Sequence, residues 1–386
     1  MKVDFSGINK KFNLKSEKID QKPFFHDLNP DIKYLKKFAK DYMKYQKIII
    51  IGNGGAVNSF LVLYKSLYSG NKQVEILNSM EPDLINKLKK TFNVKDTLVI
   101  VSSTSGTNVG VLEIMSQFLD YKKVIITAEN DAALYQIATK KNIPHLSVPH
   151  ITDRFLTSGA MAYFPLILLG IDVEKIDKFL HKAYNKYSKS NSDALKLSLI
   201  LKKLEDKGYS EVFVPIYSNF LESFQIFIMQ LMHESVCKDG KGQTFIVVCA
   251  PESQHHTNQR FFGGNKNICG LFIVTNQVDN KTITKFSNNL FDIKLRNGTI
   301  FDINNVPLAK SFEFEFIGTY NDALENKIPS CVLDVGEVNE ENVAELIAFW
   351  HYMAVYSSIL RDVNPFDQPQ VEKSKEIAFE MRKKTK

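Results

Sequence analysis

At 386 residues the chain is long enough for two domains, or one large domain with appendages. Its 44% hydrophobic and 24% charged content describes an ordinary soluble globular protein. A formal charge of +6, with no basic stripe interleaved by aromatics, argues against nucleic acid as partner and fits a small anionic substrate.

No apolar run is long enough to span a bilayer; the longest, Ala160–Ile171, is interrupted by Pro165 and Gly170. The first residues lack the apolar core of a signal peptide. Cys237, Cys249, Cys269 and Cys331 are scattered without CxxC spacing, so free thiols in a reducing cytoplasm are expected. The basic residues Lys10, Lys11, Lys15, Lys18 and Arg382–Lys386 read as solvated tails.

Residues 1–30 are polar, with Pro23 and Pro30, and read as a lead-in arm. A helix is expected over Asp31–Tyr45, closing an N-terminal segment of residues 1–45. Lys47–Gly52 then reads as a buried strand, followed by a glycine turn and a helix to Tyr68. Val74–Leu77, Thr97–Val101, Lys123–Thr127 and His145–Val148 continue as strands, most of them separated by helical stretches. This alternation predicts a doubly wound parallel sheet over residues 46–186, with ligands at the carboxyl ends of the strands. After the helix Val173–Tyr184, the serine-rich Lys186–Asp193 reads as a linker. A second α/β unit follows over 187–355, with strands at Val212–Ile216, Phe245–Cys249, Gly270–Val274 and Cys331–Asp334 and a helix at Leu221–His233. The two halves form a weak internal repeat. A long helix, Glu340–Leu360, leads to a C-terminal helical segment over 356–386, with Pro369 in the first turn of its helix.

Two turns draw attention as sites. Val101–Val111, VSSTSGTNVGV, joins an apolar strand to a helix over Val111–Leu119. Free N–H groups at a helix start favour an anion, and the hydroxyls of Ser102, Ser103, Thr104, Ser105 and Thr107 can add donors. Gly106 permits close backbone approach, and the bland alternative is a Ser/Thr-rich loop with an N-cap. At Gly52–Val57, the Gly54-Gly55 pair allows approach to a sugar or phosphate. A dinucleotide fingerprint there, with Glu75 on a ribose, would need a third glycine where Val57 stands. His233–Cys237 approaches the HExxH zinc pattern but lacks its second histidine, so no metal is expected.

Six stretches taken together resemble glucose-6-phosphate isomerase, a family built from paired sugar-isomerase (SIS) domains. The resemblance runs from about Lys47 to the C-terminus. GIGGS aligns with Gly52–Ala56, SKTxTT with Ser102–Thr107, and a GGRFS-type segment with Thr152–Phe155. ESxGKDG aligns with Glu234–Gly240, QHSxxQ with Gln254–Gln259, and NPFDQxxVExxK with Asn364–Lys375. The fold implied is two flavodoxin-like SIS domains with a C-terminal helical arm.

The resemblance implies aldose–ketose isomerisation of glucose 6-phosphate and fructose 6-phosphate through a cis-enediol. Glu234 matches the general base that moves the proton between C1 and C2. His255 and Lys375 match the groups that open the sugar ring, and Arg154 matches the cation that stabilises the enediolate. Ser102, Thr104 and Thr107 match the phosphate cradle, with Ser103 contributing its backbone, while Gly54, Gly55 and Gln259 fall at substrate-binding positions. The family needs no cofactor. It acts as a homodimer that takes its histidine, here His255, from the neighbouring subunit. Ala56, Ser103, Gly106, Val109, Asp153, Cys237 and His256 depart from the family pattern, which touches phosphate affinity and sugar selectivity more than reaction type. Two alternatives are a non-catalytic sugar-phosphate sensor and a dual phosphoglucose/phosphomannose isomerase. No helix-turn-helix module is evident for the first, and proteins of the second type generally lack the NPFDQ string.

Overall fold

The computed structural model describes residues 1–8 and 22–385. Its first sheet contains β2 (Lys47–Ile51), β3 (Gln73–Leu77), β4 (Thr97–Ser102), β5 (Lys122–Thr127) and β6 (His145–Ser147), in the order β3-β2-β4-β5-β6, all parallel. The second contains β7 (Glu211–Tyr217), β8 (Thr244–Cys249), β9 (Ile268–Val274) and β12 (Ser330–Asp334), also mutually parallel. Its edge is finished by β1, Lys2–Asp4, antiparallel to β12. The stretch expected as a polar lead-in arm thus supplies a strand to the far half of the chain. Between β9 and β12 lies a small hairpin, β10 (Lys294–Leu295) with β11 (Gly298–Thr299).

Helices α2 (Gly55–Leu67), α6 (Ala160–Leu168), α7 (Val173–Tyr187), α8 (Asp193–Glu205), α9 (Phe224–Val236) and α12 (Glu340–Ile359) form a layer between the two sheets. The alternation of side chains along each strand sets this up. Ile48, Ile50, Leu98 and Ile100 of the first sheet, and Val212, Val214, Leu271 and Ile273 of the second, share one core with those helices. Ile49, Ile51, Val99 and Val101 face outward under α3 (Pro82–Thr91), α4 (Val109–Ser116) and α5 (Ala133–Lys140). Phe213, Tyr217 and Phe272 face outward under α10 (Thr257–Gly263) and α11 (Leu308–Glu325). α12 is buried on every side from Leu346 to Ser358, as expected of a helix without a polar face.

The expected helix Asp31–Tyr45 is shorter, α1 (Ile32–Ala39) with a 3-10 turn over Lys40–Tyr42. The expected linker shrinks to a few residues, because α7 runs to Tyr187 and α8 starts at Asp193. Phe24–Asp27 form a buried turn in which Phe25 stacks on Phe155 at 5.2 Å and His26 Nδ1 meets the Tyr352 hydroxyl at 2.7 Å. The chain ends in α13 (Glu372–Lys384). Arg382, read as part of a solvated tail, is instead paired with Glu113 through Nε at 2.6 Å and Nη2 at 2.9 Å. Lys10, Lys11, Lys15, Lys18 and Lys386 lie outside the described residues.

Candidate active site

The glycine turn and the Ser/Thr turn lie side by side at the carboxyl ends of the adjacent strands β2 and β4. Gly52 is what allows this: a Cβ there would stand 2.8 Å from Val57 Cγ1 and 2.9 Å from the Ser102 carbonyl oxygen. Val57 therefore fills the space a dinucleotide site would keep open, and Glu75 sits mid-strand opposite Ile49 rather than at a strand end. Gly54 has φ +58°, and a Cβ on it would strike Gln230. Gly55 is more constrained still, since its Cβ would come within 2.3 Å of the Arg154 nitrogen and 2.5 Å of Asp153 Oδ1.

The Ser/Thr turn is tied down before any ligand arrives. The Ser103 N–H donates to Ile126, the Thr104 carbonyl accepts from Ala128, and the Gly106 carbonyl accepts from Leu134. Ser102 is buried and donates to the Ala56 carbonyl at 3.3 Å; Thr104 is buried with Oγ1 3.5 Å from Met161 Sδ. Ser105 and Thr107 are exposed, their hydroxyls 3.2 Å apart. α4 begins beyond them, capped by Asn108, whose Oδ1 accepts from the Val111 N–H. Thr107 is thus the exposed hydroxyl among the expected phosphate ligands, and Ser103 has its own N–H committed to the sheet.

Arg154 is the centre of the arrangement. It sits on a 3-10 turn, Asp153–Phe155, whose Phe155 packs on Phe25 and, at 5.5 Å, on Phe366. Only 2% exposed, the guanidinium donates to six acceptors: Ser235 Oγ, Thr152 Oγ1, Glu234 Oε2, Gln368 Oε1 and the carbonyls of Pro365 and Asp367. Burial lowers its affinity for the proton, while Glu234, Asp153 and Asp367 favour the charge. The Glu234 carboxylate lies 3.2 Å from Nη1 and 31% exposed, so it faces both the guanidinium and solvent. Gln230, one helical turn earlier on α9, donates to both of its oxygens at 3.3 Å and accepts from Asn58 of α2 at 2.7 Å. Lys238 binds the Asn364 carbonyl and reaches Asp367 Oδ1 at 2.7 Å.

Asp153 carries a second carboxylate beside Glu234. Burial and the like charge of Glu234 push it up to about 6, against the pull of Arg154 and of the Ala56 N–H that it accepts.

The structure brings together Gly54, Gly55, Arg154 and Glu234, with the Ser102–Thr107 turn alongside. It does not bring His255, Gln259 or Lys375 into contact with them. His255 ends a short turn after β8 and is exposed, as is Gln259. Lys375 is 61% exposed on α13 and pairs with Glu372 at 2.7 Å. His233 accepts the Phe245 N–H through Nε2 at 3.0 Å, a structural bond. Among the described residues no group of three or more His, Cys, Asp or Glu is placed to hold a metal ion. Gln230 lies outside every motif read from the sequence, while Ser235 and Lys238, within Glu234–Gly240, and Gln368, within Asn364–Lys375, carry no site role there. Spacing of one turn from Glu234 could have found Gln230, and Gln368 stands inside the NPFDQ string.

No family model matches the chain. A probable glucose-6-phosphate isomerase from Methanococcus maripaludis is 25% identical over 97% of this chain and 90% of its own. The glucose-6-phosphate isomerase of Methanocaldococcus jannaschii is 24% identical over 99% and 94%. Among solved structures, a hypothetical protein from Thermus thermophilus has TM-score 0.83 at 21% identity, covering 91% of this chain and 87% of that one. A glucose-6-phosphate isomerase from Chlamydia trachomatis has TM-score 0.71 at 16% identity, covering 92% and 74%. The chain is glucose-6-phosphate-isomerase-like over nearly its whole length.

Proposed function

We propose that this chain is an aldose–ketose isomerase that interconverts glucose 6-phosphate and fructose 6-phosphate through a cis-enediol, a step of glycolysis and gluconeogenesis. One observation carries the reading beyond the likeness to named relatives. Segments distant in sequence, around Arg154, Glu234 and Pro365–Gln368, converge on a single guanidinium.

A proton on carbon does not leave unaided at neutral pH, so a positioned base is needed. Glu234 fits because one side of its carboxylate is held by Arg154 and Gln230 and the other is open to solvent. As the proton moves, negative charge develops on the sugar oxygens, and Arg154 is a fixed cation beside the base. In this reading the Ser102–Thr107 turn holds the phosphate, so that binding energy far from C1 and C2 positions the reacting carbons. Gly54 and Gly55 let their turn pack against Gln230 and Arg154, which sets those side chains beside it. Lys375 and His255 serve ring opening.

Among the described residues His255 is exposed and forms no hydrogen bond or ion pair with another candidate site residue, which supports a homodimer in which it completes the neighbour's site. Large exposed apolar side chains on the β9–β12 excursion and α11, among them Val278, Phe301, Leu308 and Phe314, support the same view. We place the protein in the cytoplasm, in keeping with four free cysteines. No helix among the described residues is long and apolar enough to cross a membrane.

The test is a coupled assay with glucose 6-phosphate, fructose 6-phosphate and mannose 6-phosphate, on the wild type and Glu234→Gln. Turnover of the first two is expected, falling ~10²–10⁴-fold in the variant as for a lost general base. Wild-type turnover in Glu234→Gln would remove Glu234 as the base. No activity of the wild type on any of the three sugars would favour a sensor.

A further inference from the structure

We propose that the Glu113–Arg382 pair is a clasp that positions Lys375, making both residues positioning residues for ring opening; this rests on the isomerase reading above. Opening the pyranose breaks the C1–O5 bond, adds a proton to O5 and removes one from the C1 hydroxyl. A lysine serving that exchange must be held against the sugar, yet α13 is poorly fitted to hold it. Of its residues only Ala378 and Arg382 are even half-buried. No apolar stripe seats the helix on the body.

The spacing shows what does. Lys375, Ala378 and Arg382 fall at i, i+3 and i+7, on one face of the helix. The two basic residues are about 10.5 Å apart along the axis at 1.5 Å per residue. Arg382 turns that face toward the first domain through two parallel bonds to Glu113, Nε to Oε1 at 2.6 Å and Nη2 to Oε2 at 2.9 Å. Such a forked pair fixes orientation as well as distance. Its hydrogen bonds from Arg382 also hold Glu113 below the usual carboxylate range.

Glu113 belongs to α4, the helix that directly follows Thr107 and Asn108. The other end of the strap is held by Arg154, through Gln368 and the Pro365 and Asp367 carbonyls, and by Lys238 through Asp367. Lys375 is therefore suspended seven residues from an anchor on either side. One anchor is the catalytic guanidinium, and the other is the helix behind the phosphate turn. The clasp sets the lysine relative to both ends of a bound sugar phosphate.

Charge reversal tests this in the full chain. Glu113→Arg and Arg382→Glu should each lower kcat on glucose 6-phosphate about five- to tenfold, starting from the size of a well-formed, partly exposed pair plus the new repulsion. KM should change less than twofold, because the phosphate turn is untouched. The double reversal should recover kcat to within about twofold of wild type. In a Lys375→Ala background, either reversal should cost less than about twofold more. Trypsin should cut after Lys373 and Lys375 faster in each single variant and at the wild-type rate in the double one.

Wild-type kcat in both single variants, no recovery in the double variant, or an undiminished effect without Lys375 would overturn the proposal. An unaltered tryptic rate would overturn the clasp whatever the activity. A wild-type chain inactive on every sugar phosphate would instead overturn the isomerase reading, while the proteolysis still decides whether the clasp exists.

Discussion

Replacing Arg154 by lysine keeps the charge and removes the geometry. The guanidinium serves six acceptors on three stretches of chain, using five N–H groups in one plane. An ammonium has three donors on a single nitrogen. At least three acceptors lose their partner, and the bonds to Ser235 and to the Pro365 carbonyl are buried. A buried polar group left unpaired costs about 1–3 kcal/mol, so two give about 2–6 kcal/mol. Water reaching the strap from its exposed side, where Gln368 and Asp367 lie, puts the expected loss near about 3 kcal/mol. If the chain unfolds as one unit, its unfolding entropy is about 0.8 kcal/mol/K, from roughly 2.1 cal/mol/K per residue. The melting temperature should then fall by about 4 °C. That leaves the variant folded at 25 °C, where kinetics can be read separately. There kcat should fall ~10²-fold or more, the scale for a lost charge-stabilising donor. The assay pairs calorimetry with turnover of fructose 6-phosphate at 25 °C. A lysine variant melting within 1 °C of wild type, with kcat/KM within about threefold, would refute both the packing and the catalytic role of Arg154.

Three further outcomes are expected. Gly55→Ala should abolish turnover and lower the melting temperature, because its Cβ would lie 2.3 Å from the Arg154 backbone nitrogen and a backbone cannot yield as a side-chain tip can; wild-type kinetics would show that the turn adapts. Asp153 has a folded-state pKa of about 6, above its unfolded value, so its charged form costs stability that is absent below about pH 4 and fully felt above pH 6. Asp153→Asn should therefore gain on the order of 2 kcal/mol over wild type as pH rises from 4 to 7, at about 1.4 kcal/mol per pKa unit; parallel melting curves against pH would count against it. Mixing inactive His255→Ala with inactive Glu234→Gln chains should restore part of the activity if His255 acts across a dimer, and no recovery after confirmed subunit exchange would place all groups on one chain.

Much of the frame was legible because parallel strands buried on both faces read as unbroken apolar runs. Lys47–Ile51 and Thr97–Ser102 appear in the sequence almost as they do in the fold. The helix over Glu340–Ile359 was equally plain. The N-terminal strand was not, since Lys2–Asp4 is three residues long and takes its conformation from pairing with β12. Nor was α11 read, a helix with exposed Phe314 and Ile317 beside buried Thr319 and Ala323, which offers no clean apolar face.

At the site the division is similar. Glycine and hydroxyl residues at strand-to-helix turns point to a polar ligand from local chemistry alone, whereas Glu234 and Arg154 are reached only through the family resemblance of the stretches that carry them. Which hydroxyls remain available was decided by three dimensions. Ser102 and Thr104 lie buried with partners of their own, while Thr107 stays exposed. The six acceptors of Arg154 are separated from it by up to 214 residues, and no periodicity reports contacts at that range. Arg382 shows the limit most directly. In sequence it is one charge in a basic tail. In the fold it meets Glu113, 269 residues away, because the strap that begins at the Arg154 guanidinium brings its helix up to α4.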